Sequence, residues 1–122
     1  MVWNKRGLTG NLVREDEPGE LALFTVQTLR YDSRYHGKLD ILDLGCGHGQ
    51  DAFYLAGQLD CHILAIDSSE EAVKTARESC PKGLVNRIEF LSYDFSALID
   101  KYDLIFVPDL YQQLMQPERK KP

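Results

Sequence analysis

Short apolar runs alternate with longer amphipathic stretches over most of the chain from Asp40 onward. The apolar runs have the length and residue types of buried strands, and they lie at 41–44, 63–66, 88–91 and 104–107. Between the first three runs, the segments 50–59 and 70–80 have helical periodicity. Strands that alternate with helices in this way predict an α/β fold with a mainly parallel sheet and helices on its faces.

A further helix is predicted ahead of these units, over 20–30. Acidic residues at 15–17 lie near its N-terminal end, where the helix dipole is positive. The polar stretch 1–19 contains glycine and proline and predicts an irregular N-terminal arm, followed by one domain over 20–122. The helix positions expected to face the core are Leu21, Phe24, Val26 and Leu29.

The helix at 70–80 carries a start signal in its sequence. Ser68 and Glu71 have the spacing of a capping box, in which a hydroxyl and a carboxylate satisfy backbone N–H groups at the helix start. We therefore expect Ser68 to cap the start of this helix. The residues expected to share its apolar face are Ala72, Val73, Ala76 and Cys80.

The first strand ends in a glycine-rich turn, since residues 41–49 read Ile-Leu-Asp-Leu-Gly-Cys-Gly-His-Gly. Glycine tolerates positive φ and lets the backbone approach a ligand closely. The helix that follows would direct its N-terminal amides toward the crevice, which suits an anionic group. Asp67 ends the second strand, where a carboxylate can accept hydrogen bonds from two ribose hydroxyls. Capping of the next helix is the alternative role for Asp67.

The spacing of the glycines distinguishes two kinds of nucleotide site. The dinucleotide signature G-x-G-x-x-G/A requires a glycine or alanine at position 50, which is Gln50 here. The series is instead Asp43-x-Gly45-x-Gly47-x-Gly49. In these residues, and over about 40–114, the chain resembles the class I S-adenosylmethionine-dependent methyltransferases.

This resemblance implies a Rossmann-like three-layer sandwich with strand order 3-2-1-4, in which 20–122 forms part of a methyltransferase domain. In the family, the motif at 42–49 wraps the methionine part of the cofactor, and the acid of the motif at 65–69 holds the ribose. The motif at 90–95 contacts the adenine, and the strand of the motif at 102–109 ends facing the methyl group. The cofactor-binding residues implied are Asp43, Gly45, Cys46, Gly47, Gly49, Asp67, Ser68, Asp94, Phe95 and Pro108.

Some of these roles have structural alternatives. Asp43, which the resemblance assigns to the cofactor ammonium, is also suited to bonding amides of the turn. Asp94, assigned to the adenine amino group, is also suited to capping a helix, and Phe95 to the core. Asp103 near the start of the fourth strand is expected to serve the fold, and His48 is expected to be an exposed loop residue.

Substrate-facing candidates follow the fourth strand, although the same residues are typical of an ordinary helix start. Family members that modify amino groups of bases carry an Asn/Asp-Pro-Pro-aromatic motif, and many that act on small molecules carry an acid or histidine around 112–113. This chain has neither pattern, so no catalytic residue is assigned. A small molecule is the acceptor that we expect. The candidates are Asp109, Tyr111 and Gln112.

Composition narrows the classes of partner. The formal net charge of −5 argues against a broad basic surface for nucleic acid. No apolar run approaches the roughly 20 residues of a membrane span, and we expect a cytoplasmic protein without membrane association. Cys46, Cys61 and Cys80 have no ligand-like spacing with the histidines, so reduced thiols and no metal site are expected.

The length of 122 residues affects the functional prediction, because members of the resembled family continue after the fourth strand. We expect a domain truncated after that strand, with 104–107 covered by a homodimer partner or another chain. Three hypotheses stay open. They are a methyltransferase that works by in-line displacement, a non-catalytic S-adenosylmethionine-binding fragment or subunit that needs another chain, and a nicotinamide-dependent Rossmann protein, which Gln50 disfavours.

Overall fold

Helices and strands alternate along the computed structural model, which describes residues 17–32, 37–92 and 101–108. The predicted elements are confirmed, with bounds that differ by at most two residues at either end. The helices are α1 (Glu20–Arg30), α2 (Gln50–Gln58) and α3 (Glu70–Ser79), and a 3-10 helix spans Lys82–Leu84. The strands are β1 (Leu39–Leu44), β2 (Cys61–Asp67), β3 (Ile88–Ser92) and β4 (Leu104–Phe106).

The four strands form one parallel sheet in the order β3-β2-β1-β4, which confirms the predicted order. Ile41 of β1 pairs with Ile63 of β2 on one side and with Leu104 of β4 on the other. The chain builds the sheet outward from β1 to β3 and then returns to the opposite side of β1. The order therefore reverses between β1 and β4, and in open α/β sheets ligands bind at the carboxyl ends of the strands beside such a point.

The core lies between the sheet and helices α1 to α3. The connections from β1 to β2 and from β2 to β3 run in the same direction across the sheet. Because such connections are right-handed, α2 and α3 lie on the same face. Strands β1 and β2 carry near-continuous apolar runs because most of their side chains are at least partly buried. The fully buried residues of this core include Ile41, Ala52, Leu55, Ile63 and Ala65.

The predicted apolar face of α1 is partly wrong. Val26 is buried, and Leu21 and Leu29 pack against the core, but Phe24 is 62% exposed. The buried row runs through Ala22 and Val26, which are four residues apart and therefore one above the other on a helix. Phe24 lies midway between them in sequence, about 200° around the helix axis, and so faces away from the core.

Helix α3 begins at Glu70, as predicted, but the predicted capping residue is wrong by one position. The N-cap is Ser69, whose Oγ accepts a hydrogen bond from the Ala72 N–H at 3.1 Å, so Ser68 and Glu71 do not form the expected capping box. The cause is Asp67, since its Oδ1 accepts from the Ser69 N–H at 2.9 Å and turns the chain directly after β2. Of the predicted apolar face of α3, Val73 and Ala76 are buried, while Ala72 and Cys80 are half-buried.

Asp103 serves the fold, as predicted. Its backbone N–H donates to the Asp40 carbonyl at 2.8 Å, and its Oδ2 accepts from the Asp40 N–H at 2.7 Å. This pair joins the amino-terminal ends of β1 and β4. Asp103 is therefore at the edge of the sheet opposite to the glycine turn.

Candidate cofactor site

The glycine turn after β1 is built from left-handed backbone. Gly45, Gly47 and Gly49 have φ values of 84°, 54° and 90°, in the region that other residues rarely adopt. The N–H groups of Gly45 and Cys46 both donate to the Ile66 carbonyl, at 2.7 and 2.9 Å. The turn is therefore fixed against the carboxyl end of β2.

Asp67 lies beside this turn, where the sequence predicts it. Its Oδ2 accepts from the Gly47 N–H at 2.8 Å, and its Oδ1 accepts from the Ser69 N–H at 2.9 Å. An ionised carboxylate has about four acceptor positions, so these two bonds leave capacity for further donors. The alternative role as the helix cap belongs to Ser69 instead, although Asp67 helps to orient that residue.

Negative charge is concentrated at the turn. Asp43 is fully buried at the end of β1, and its register partners are Ala65 of β2 and Phe106 of β4. Burial, and then the charges of Asp43 and Asp67, raise the pKa of the Cys46 thiol to about 12. The thiol is therefore protonated at neutral pH, and the potential that opposes its ionisation suits a cationic group of a ligand.

Gly49 closes the turn at a point with no room for a side chain. A Cβ there would lie 3.0 Å from Phe53 Cζ, 3.2 Å from Ala76 Cβ and 3.2 Å from Phe90 Cε1. The Phe53 and Phe90 rings meet edge to face, with centroids 5.9 Å apart. Gly49 is also the N-cap of α2, so this packing fixes the helix start against α3 and β3.

The start of α2 brings backbone donors to the turn. The first N–H groups of an α-helix have no partner within the helix, and they carry its partial positive charge. His48 is exposed just before this helix, as predicted. The turn therefore offers buried and half-buried carboxylates on one side and helix N–H groups on the other.

The other predicted site residues are described only in part. Ser68 is exposed after β2, and Pro108 is half-buried two residues after β4, so both follow carboxyl ends of strands. Residues that lie outside the described ranges, and whose roles stay predictions, are Asp94, Phe95, Asp109, Tyr111 and Gln112.

Sequence reasoning missed two residues that support the turn. Phe53 forms part of the contact that excludes a side chain at Gly49. In the sequence, only its position four residues after that glycine indicated this contact. Asp51 lies in the first turn of α2, and its Oδ1 accepts from the Gly19 N–H at 2.7 Å. An acid in the first turn of a helix is favoured by the dipole, which was the available signal for Asp51.

Among the described residues, no cluster of three or more histidine, cysteine or acidic residues is arranged to hold a metal ion. No helix in the same ranges has the length and apolar character needed to cross a bilayer.

Comparison with known proteins relates this site to a family. Residues 41–121, more than half of the chain, match the model of a methyltransferase domain. The chain is 31% identical over 114 residues to the ubiquinone biosynthesis O-methyltransferase of Rickettsia akari, covering 92% of this chain and 44% of that protein. It is 32% identical over 74 residues to the cyclopropane-fatty-acyl-phospholipid synthase of Escherichia coli K12, covering 61% of this chain and 19% of that protein.

Solved structures agree with the sequence matches. The magnesium protoporphyrin IX methyltransferase of Synechocystis PCC 6803, solved with S-adenosylmethionine bound, superposes with a TM-score of 0.61 at 28% identity. The match covers 72% of this chain and 42% of that one. The chain thus spans less than half the length of each of these relatives. It belongs to the methyltransferase domain family, as a class I fold whose members use S-adenosylmethionine as cofactor.

Proposed function

We propose that this chain is the cofactor-binding part of a methyltransferase that moves the methyl group of S-adenosylmethionine to a small-molecule acceptor. The observation that carries the proposal is the position of Asp67. Its carboxylate accepts from the Gly47 N–H at 2.8 Å and retains acceptor capacity beside the glycine turn. Ribose hydroxyls are donors that match this capacity.

The remaining assignments follow the shape and charge of the turn. Asp43 orients the cofactor ammonium, and the left-handed backbone of the turn faces the methionine part. Support comes from the burial of Asp43 and from its negative charge, which adds to the larger effect of burial in raising the pKa of Cys46. The turn residues in this assignment are Gly45, Cys46, Gly47 and Gly49, with Ser68, Asp94, Phe95 and Pro108 at the other cofactor groups.

The proposed reaction is an in-line displacement. When bound, S-adenosylmethionine supplies a sulfonium that activates its methyl group. Transfer would join the methyl carbon to the acceptor atom as the carbon–sulfur bond breaks, with the bonding pair leaving on the sulfur and the acceptor's proton passing to solvent. The chain contributes by holding the methyl donor in one orientation, so that the acceptor atom is able to approach the methyl carbon opposite the sulfur. Asp109, Tyr111 and Gln112 are the proposed acceptor-facing residues.

We further propose that the acceptor is a small molecule and that the protein works in the cytoplasm. The Rickettsia and Synechocystis relatives bear names that refer to ubiquinone biosynthesis and to magnesium protoporphyrin IX, which supports a small acceptor.

In the described sheet, β4 is the strand beside β1 with no second neighbour, and its Ile105 is 54% exposed. This supports the proposal that a second copy or a partner chain covers 104–107.

A second candidate function is S-adenosylmethionine binding without turnover by this chain alone. The chain spans 44% and 19% of the lengths of the two curated relatives, so it matches only part of each. Under this second candidate, another chain would supply the acceptor site.

Isothermal titration of the purified chain with S-adenosylhomocysteine tests the proposal, with NADH as the parallel ligand. Selective binding of S-adenosylhomocysteine is expected, and selective binding of NADH would replace the proposal with a nicotinamide site.

A radiolabelled methyl-transfer screen over phenols, carboxylates, thiols and amines follows. Binding without transfer to any acceptor class would support the second candidate.

A further inference from the structure

Asp51 links the glycine-turn helix to the N-terminal helix. It lies two residues after Gly49, in the first turn of α2, and its Oδ1 accepts from the Gly19 N–H at 2.7 Å. Gly19 is the N-cap of α1. The hydrogen bond therefore joins the N-cap of α1 to the first turn of α2, and the two bonded residues are 32 positions apart in sequence.

The opposite ends of the same two helices are also joined. The Arg30 guanidinium at the end of α1 donates to Oε1 of Gln58 at the end of α2. Ala22 and Val26 of α1 belong to the same buried cluster as Leu55 of α2. The two helices consequently run side by side in the same direction, and the start of α1 lies at the glycine-turn end of the domain.

This arrangement concentrates partial positive charge at the glycine-turn end of the two helices. Parallel helices bring two partially positive N-terminal ends together, which one carboxylate between them stabilises. A carboxylate in the first turn is also able to fold back onto the N–H groups of its own helix. In Asp51 the bond to Gly19 directs Oδ1 to α1 instead, so that oxygen does not occupy the α2 donors nearest the turn.

We propose that Asp51 is a positioning residue for cofactor binding, which acts by tying Gly19 and the start of α1 to the helix that begins at the glycine turn. The bond fixes the direction of α2 and keeps the carboxylate away from the N–H groups that face the crevice. This inference rests on the proposed function, because the ligand that benefits is the cofactor.

The backbone donor provides a test that leaves Asp51 in place. Gly19 has φ −76° and ψ 171°, angles that proline adopts, so Gly19→Pro removes the N–H without imposing backbone strain at that residue. Gly19→Ala is the matched control, because it keeps the N–H and its Cβ would lie 3.6 Å from Asp51 Oδ1, an ordinary contact distance. Asp51→Ala and Asp51→Asn test the acceptor, since only asparagine retains an oxygen for Gly19.

Three measurements are made on each variant of the full chain. They are the Kd for S-adenosylhomocysteine, the Tm, and the amide exchange rate of the α1 residues 20–23. Gln58→Ala serves as a stability control, because it removes the bond at the far end of the same helix pair. It should lower the Tm while leaving the Kd near the wild-type value.

We expect Gly19→Pro and Asp51→Ala to weaken binding about tenfold, comparable with the loss of one hydrogen bond to a charged group, and to accelerate exchange at 20–23. Gly19→Ala should follow the wild type, and Asp51→Asn should restore most of the affinity lost in Asp51→Ala. Wild-type Kd values in both Gly19→Pro and Asp51→Ala would overturn the positioning role, as would an equal loss of affinity in Gln58→Ala. A folded wild-type chain that does not bind S-adenosylhomocysteine would overturn the proposed function as well.

Discussion

The N–H of Gly47 donates to Oδ2 of Asp67 at 2.8 Å, so the acid that ends β2 also fixes the turn that follows β1. This bond ties the end of β2 to the turn, in addition to the two bonds from the turn to the Ile66 carbonyl. The same carboxylate reaches Ser69 through its other oxygen and sets the start of α3. The proposed ribose partner is consequently held in place by backbone N–H groups of the chain itself.

Replacement of Asp67 by alanine is expected to weaken S-adenosylhomocysteine binding by about 1.5–3 kcal/mol, the range for hydrogen bonds to a charged group. Calorimetry gives the Kd, and circular dichroism establishes that the variant is folded. Asp60→Ala is the matched control, because it removes the same charge from an exposed position just before β2. Unchanged affinity in a folded Asp67→Ala protein would contradict the ribose assignment.

Alanine substitutions at three glycines are expected to change the free energy of unfolding in different directions. Gly49→Ala should lower the free energy of unfolding by about 2–4 kcal/mol, because φ is 90° and the new methyl group would meet Phe53, Ala76 and Phe90. Gly47→Ala should cost about 1–2 kcal/mol, since its φ of 54° is left-handed but no atom lies within 4 Å of the added Cβ.

Gly57→Ala completes the series as the control. Gly57 lies within α2 and has open space around an added Cβ, so alanine should stabilise the domain by about 0.5–1 kcal/mol. Urea unfolding of the three variants measures their free energies of unfolding and so ranks their stabilities. A Gly49→Ala protein as stable as Gly47→Ala would show that the neighbouring rings move aside without cost.

Alkaline pH is expected to destabilise the domain through its buried thiols. Burial is the main cause that raises the pKa of Cys46 from 9.0 to about 12 and that of Cys61 from 9.0 to about 11. Between the unfolded and folded pKa values the folded chain binds more protons, so stability falls as pH rises from about 9. The slope approaches about 1.4 kcal/mol per pH unit for each thiol.

Urea titrations at pH 7.5, 9 and 10 measure this slope. Cys46→Ala should reduce it by removing one of the two buried thiols, whatever its effect on stability at pH 7.5. An identical pH slope in the wild type and Cys46→Ala would show that this thiol does not contribute.

Arg77 is expected to protect the free edge of β3. In the described sheet β3 is an edge strand, and the Phe90 carbonyl accepts from Arg77 Nε at 3.2 Å and from Nη2 at 2.6 Å. Arg77→Ala removes both donors, and we expect a loss of about 1–3 kcal/mol in stability together with self-association through the exposed edge. Arg77→Lys keeps the charge and a single donor group, and should have an intermediate effect.

Light scattering after size-exclusion chromatography, combined with urea unfolding, measures both effects of Arg77→Ala. A monomeric variant with wild-type stability would indicate that solvent satisfies the Phe90 carbonyl equally well.

The positions of strands and helices were predictable because each apolar run is long enough for one buried strand, whereas the order of the strands was predicted from the family resemblance. Asp67 was predictable for the same reason, since it ends a strand beside the turn. Phe24 was mispredicted because an apolar residue fits a helical period without touching the core. The Ser69 cap and the Gly19–Asp51 bond depend on side-chain directions and on a contact between distant segments, neither of which local sequence patterns encode.

The close approach at Gly49 also bears on the order in which the chain folds. Its neighbours Phe53, Ala76 and Phe90 come from α2, α3 and β3, so the last of them is 41 positions further along the chain. The packing around Gly49 is complete only after β3 has joined the sheet. A nascent chain released before Phe90 would contain every glycine of the turn and still lack the surface that shapes it. Acquisition of S-adenosylhomocysteine affinity during refolding should therefore coincide with docking of β3, which makes the ligand a reporter of late assembly.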